Sequence, residues 1–185
     1  QAMLQSPRFI YRIENQRGDG SPWPVDDYEL ASRLSYIIWG APPDEELMRA
    51  AREGNLSEPE TLRRQADRML GDSRAIQRSI HFLEQWLNLN RLSSMQPDPG
   101  RFPRWSPQLA RDMHQETILF FKEVVWSEKR PLADLFNAQV TFMTPRLADH
   151  YRGMPSSRER MRETNATRHD LTETPTRGGL LTHGS

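Results

Sequence analysis

Cysteine is absent from the 185 residues. That absence rules out a disulfide, a zinc knuckle, a thiol nucleophile and a covalently attached c-type haem on this chain. Lysine is nearly absent: Lys122 and Lys129 stand among 25 basic residues, the rest being arginine. GC-rich coding produces such a bias, and arginines mostly lie solvated on surfaces, so it argues by itself for no recognition role. Nor is there an excess of one charge. Lys plus Arg and Asp plus Glu both total 25, giving a formal net charge of zero; no global field holds a polyanion, and nucleic acid is not an expected partner. No run approaches the roughly 18 apolar residues of a membrane span, and no charged start followed by an apolar stretch marks an export signal within these residues.

What is present points to a folded helical chain. Hydrophobic residues make up 36% and charged ones 27%, with five Trp, seven Phe and eight Met, too aromatic a mixture for disorder. After an apolar lead-in over Gln1–Glu14 and a loop over Asn15–Pro24, Asp26 and Glu29 stand at capping-box spacing. Leu30, Leu34, Ile37 and Ile38 then recur at helical intervals up to Gly40. A short helix follows over Asp44–Glu53, with Leu47, Met48 and Ala51 inward, stopping at Gly54-Asn55. Ser57 and Glu60 suggest a second capping box, with Pro59 in the first turn and Leu62, Ala66, Met69 and Leu70 as the stripe.

Asp72-Ser73 starts a helix whose Ile76, Ile80, Leu83 and Leu87, widened by Phe82, Trp86 and Leu89, place it at the centre. Arg91–Trp105, with Pro97, Pro99, Gly100 and Pro103, reads as a long irregular connection, either functional or wrapped across a surface. Ser106-Pro107 then opens the longest helix, with Leu109, Met113, Thr117, Phe120 and Val124 on one face, ending near Ser127. A helical turn over Leu132–Phe136, an extended piece over Val140–Met143 and a small helix from Thr144-Pro145 to Tyr151 complete the fold.

The expected class is therefore all-α: an irregular bundle of about six helices with a long Pro-rich loop and an extended C-terminal tail. Residues 1–151 read as the helical domain and 152–176 as a polar surface tail or linker. Residues 177–185 read as the start of a following domain, cut short, with Leu180 and Leu181 docking back on the helical core or onto that following domain and Gly178 and Gly179 permitting close approach. Ser73–Asn90 is expected to pack on Pro107–Ser127, with Leu83, Trp86, Leu87, Met113, Phe120 and Val124 as core.

Chemistry is harder to find. No Glu-x-x-His or His-Glu-x-x-His pattern supplies a metal site, and no nucleophile elbow, phosphate-cradling glycine loop or dinucleotide fingerprint occurs. Three residues are weak catalytic candidates. Glu116 falls between Met113 and Phe120 on the apolar face, where a carboxylate needs a partner: it is either an acid or base with a shifted pKa or a structural group tying down an arginine or the loop's N–H groups. His114 flanks that face, and His150 stands at a helix end, where it interacts with the terminus or ligates a neighbouring cofactor. The tryptophans Trp23, Trp39, Trp86, Trp105 and Trp126 would suit sugar stacking in a groove, but their helical positions favour core and rim.

Several phrases recur in order along nearly the whole chain: Leu4 to Arg12; Asp27-Tyr28-Glu29-Leu30-Ala31 through Tyr36, with Trp39; Pro43 to Leu47; Gln85-Trp86-Leu87; Glu116-Thr117 with Phe120-Phe121; Thr141-Phe142; Leu147-Ala148 with His150-Tyr151; and Arg177 to Thr182. Together they resemble the helical domain of unknown function 1592 of planctomycete-type cytochrome c associated proteins, running into the start of the domain of unknown function 1588. The resemblance implies a non-catalytic scaffold or interaction domain of a larger exported bacterial protein. It also implies a c-type haem on another domain of the same polypeptide, none on this chain, neighbouring domains as partners, and an extracytoplasmic location. It assigns no catalytic residue. The rival readings are part of an oxidoreductase or polymer-degrading enzyme whose active site forms with neighbouring domains, and a carbohydrate-binding module.

Overall fold

A computed structural model describes residues 24–151, 165–174 and 176–185. Among the described residues there are seven α-helices, α1 (Asp27–Ile38), α2 (Glu45–Arg52), α3 (Pro59–Leu70), α4 (Ser73–Trp86), α5 (Arg91–Ser94), α6 (Pro107–Phe121) and α7 (Pro145–His150). Two short strands, β1 (Val140–Met143) and β2 (Thr167–Asp170), pair antiparallel. The fold is predominantly helical, as the sequence predicts, with seven α-helices rather than about six. No helix among the described residues is long and apolar enough to cross a membrane. The chain forms two compact units, Gln1–Arg78 and Ser79–Ser185, the division falling inside α4.

In the first unit the helix ends are written locally. The Asp26 carboxylate accepts the Glu29 N–H at 2.7 Å and Glu29 reaches back to the Asp26 N–H, closing the expected capping box. Asp44 caps α2 through the Leu47 N–H. Gly40 and Gly54 end α1 and α2 at positive φ, where a side chain would be strained. The second expected capping box does not form. The α3 N-cap is Glu58, which makes no side-chain cap bond; the Ser57 N–H is instead held, with that of Leu56, by the Asp27 carboxylate.

The inner faces are also rotated from the expected ones. Ala31 and Ser35 are the buried residues of α1, while Ile37 is 72% exposed. On α3, Thr61, Gln65 and Met69 are buried, while Leu70 lies outside. Gln65 is tolerated inside because its amide bonds Glu46 and Arg68. Trp39 seals this unit. Its indole N–H donates to the Met69 carbonyl at 2.9 Å, the Arg74 guanidinium lies 3.5 Å over its ring, and Arg68 grips Asp44 with two nitrogens.

The second unit is organised by α6. Ser106 caps it through the Leu109 N–H and Pro107 occupies its first turn. Beyond Phe121 the chain stays helical to Ser127 in a wider, π-type turn, as far as the sequence predicts. One cluster gathers Leu83, Phe120, Phe121, Val124, Leu135, Ala138 and Val140, with Ile80 and Leu87 at its margin; the other gathers Leu92, Leu109, Met113, Met143 and Leu147. Of the six expected core residues, Leu83, Met113, Phe120 and Val124 are buried. Leu87 is only partly covered. Trp86 is 54% exposed, stacked on Phe82 at 6.1 Å; four residues apart on one helix, the two rings cover each other rather than the core.

Most of Arg152–Thr176 falls outside the described residues, but its end is not simply a surface tail. Thr167–Asp170 forms β2, and Leu171 beyond it is 1% exposed, its N–H bonded to the Gln139 carbonyl. Gly179 has φ of 66°, and a Cβ there would stand 2.2 Å from the Phe136 carbonyl carbon, so glycine is required. This close approach delivers Leu180 to the first cluster while Leu181 stays 80% exposed. Only one of the two expected leucines docks.

Candidate functional site

The residue pattern of α6 places two carboxylates inside the protein. Asp112 and Glu116 are four apart and so share a face; they are 5% and 0% exposed among Met113, Thr117 and Phe120. Such groups are costly to bury unless they are paired and hydrogen-bonded. Asp112 accepts two bonds from Arg146, at 2.7 and 3.0 Å, and one at 2.8 Å from the Thr144 hydroxyl, which also accepts the Leu147 N–H as the cap of α7.

Glu116 draws its partners from farther along the chain. Its Oε1 accepts from Thr141 at 2.6 Å and from Arg177 at 3.4 Å, and its Oε2 accepts from the Tyr151 hydroxyl at 2.5 Å. The Tyr151 oxygen in turn accepts the Gly184 N–H at 2.7 Å, and the Arg177 guanidinium lies 3.5 Å over the Tyr151 ring. Next to Glu116, the Thr117 hydroxyl meets His183 Nδ1 at 3.0 Å and Ser185 Oγ at 2.8 Å. Burial raises the Glu116 pKa against the opposing pull of Thr141, Tyr151 and Arg177. Burial, and then the Glu116 carboxylate, raises that of Tyr151. His183, buried near the Arg177 cation with its ring edge on Phe120, is pushed down to about 4.

The three sequence candidates do not converge. Glu116 sits in this closed network, paired with Arg177. His114 pairs instead with Glu84, Nε2 to Oε1 at 3.1 Å, and borders a pocket of about 450 Å³ with Leu89, Leu92, Pro107 and Arg111. His150 ends α7 with its ring 5.7 Å from that of Tyr151, its Nδ1 buried without a hydrogen-bond partner. Among the described residues no group of three His, Cys, Asp or Glu is placed to hold a metal. Trp39 is 6% exposed, which counts against sugar stacking there, and Trp126 is tied to Ser79 by its indole N–H; Trp23 lies outside the described residues.

Sequence reasoning missed Tyr151, Arg177 and His183 as neighbours in the Glu116 network, and Asp112 as a second buried carboxylate. The Asp-x-x-x-Glu spacing inside an apolar helical face was the available signal for Asp112. The partners of Glu116 carry no such signal, because 25 to 61 residues separate them from it.

These features define a predominantly helical domain organised around buried, hydrogen-bonded carboxylates. The family model described as PSD4, protein of unknown function (DUF1592), matches residues 25–152, and the chain belongs to that family. No curated protein and no solved structure matches.

Proposed function

We propose that this chain is a non-catalytic helical scaffold or interaction domain of a larger exported protein that carries c-type haem on another domain. The observation that supports the reading is the state of Glu116. The carboxylate best placed by sequence to be an acid or base is wholly buried, and both its oxygens are taken by Thr141, Arg177 and Tyr151. A general acid or base must reach a substrate proton within hydrogen-bond distance, and Glu116 instead fastens Arg177 and, through Tyr151, the backbone of Gly184. The haem-bearing partner domain and the extracytoplasmic setting rest on the family resemblance.

Haem staining of the full-length polypeptide on a denaturing gel, with sequencing of its mature N-terminus, tests the setting. Covalent haem and a cleaved export signal are expected; a full-length protein without haem would overturn that part. For the role, turnover of the full-length protein with its electron donor is compared with that of Glu116→Gln and His114→Gln variants. Rates within about twofold are expected, whereas an acid or base contributes about 10²–10⁴, so a hundredfold fall with the fold intact would overturn it.

A further inference from the structure

The proline-rich connection expected over Arg91–Trp105 begins with the short helix α5 (Arg91–Ser94), and the remainder is held in a defined shape although it lies outside regular structure. The Asp98 carboxylate accepts the Gly100 N–H at 2.7 Å, the Asp98 carbonyl accepts those of Arg101 and Phe102, and the Trp105 N–H bonds the Phe102 carbonyl. Trp105 packs on the second cluster, while Phe102 remains 58% exposed. This turn and the end of α7 enclose a pocket of about 230 Å³ lined by Arg101, Phe102, Pro103, Arg104, Trp105 and His150.

The lining has a definite chemical bias. Arg101 and Arg104 are both exposed, and among the described residues their side chains form neither ion pair nor hydrogen bond, as is also true of Arg49, Arg63 and Arg111. Two unneutralised guanidiniums at one small cavity favour an oxyanion, whose planar fork they match. Arg104 and His150 both line the pocket, and burial and the Arg104 cation depress the His150 pKa against the opposing charge of Asp149. His150 completes the lining at the end of α7, although its Nδ1 is itself buried and unpartnered. Phe102 and Trp105 add aromatic surface. The volume lies below the range of about 300–1,000 Å³ that drug-sized ligands occupy, so one ring with its head group is the size that fits.

We propose that the pocket between the proline-rich turn and the end of α7 binds a small organic anion bearing a carboxylate on a flat ring, with Arg101 and Arg104 holding the carboxylate and Phe102 and Trp105 receiving the ring. The site shares no residue with the Glu116 network and does not rest on the scaffold reading.

Calorimetric titration of the 185-residue chain with benzoate, inorganic phosphate and benzyl alcohol at low ionic strength tests this, with the Trp105 indole N–H followed by NMR. Benzoate should bind saturably and shift the Trp105 signal, phosphate should bind more weakly, and benzyl alcohol should not saturate. Arg104→Gln should weaken benzoate at least about tenfold, the loss expected for a charged hydrogen bond, with an unchanged melting temperature. Phe102→Ala should weaken benzoate but not phosphate. Equal binding of benzoate and benzyl alcohol, indifference to Arg104→Gln, or no saturable benzoate binding would each overturn the proposal.

Discussion

Each unit contains a carboxylate gripped by an arginine, and the two pairs work differently. In the first unit Asp44 caps α2 and takes Arg68 from the neighbouring α3, with about 30% of each side chain still in water; Arg68 and the cap hold its pKa below the usual carboxylate range. In the second, Glu116 is fully buried and Arg177 is 14% exposed, and burial moves the pKa the other way. The first pair trims a helix end. The second joins α6 to the segment Arg177–Ser185 and is costly to leave half made.

The largest expected effect follows from that contrast. Arg177→Met should cost roughly 3–5 kcal/mol in urea unfolding, because it strands a buried carboxylate, whereas Arg68→Met should cost about 1 kcal/mol or less. Equal losses would erase the distinction. Within the second unit, Leu83→Ala should cost about 2–5 kcal/mol and Leu87→Ala, at the margin of the same cluster, only about 1 kcal/mol.

A pH titration sharpens the comparison further. His183 is held near 4 in the folded chain against about 6.5 unfolded, so below pH 6.5 the unfolded state takes up the proton first. Stability should fall as the pH drops from 6.5 to 4, by up to about 3 kcal/mol, and His183→Leu should flatten that slope. Glu116 works in the opposite sense: its raised pKa lets the folded state take up a proton first, so its contribution is present at low pH and is lost as the pH rises through its folded pKa. Glu116→Gln should therefore steepen the acid-side loss. The smallest effect is expected for Trp86→Ala, about 0.5–1 kcal/mol, since its ring covers only Phe82.

Much of the fold was legible because its signals are local. Asp26 with Glu29, Asp44, Ser106-Pro107 and Thr144-Pro145 each mark a helix start within three residues, and all four are used. Faces were read less well. Ile37, Leu70 and Trp86 fit the helical period but lie outside, while Ser35, Gln65 and Asp112 lie inside because hydrogen bonds satisfy them. Periodicity counts apolar residues and is blind to partners. The need of Glu116 for a partner was visible in its position, but not that Arg177 would supply it, since a polar stretch separates Tyr151 from the arginine. Strand β2 was hidden for a similar reason: of its residues and their flanks only Leu171 is strongly apolar.

The central claim is that Glu116 and Arg177 act as one structural pair. A double-mutant cycle of Glu116→Gln and Arg177→Met, read by urea unfolding at pH 7, tests it most directly. A coupling of roughly 1–3 kcal/mol is expected, with the double variant more stable than the sum of the single losses implies. Additive losses, within about 0.5 kcal/mol, would contradict it.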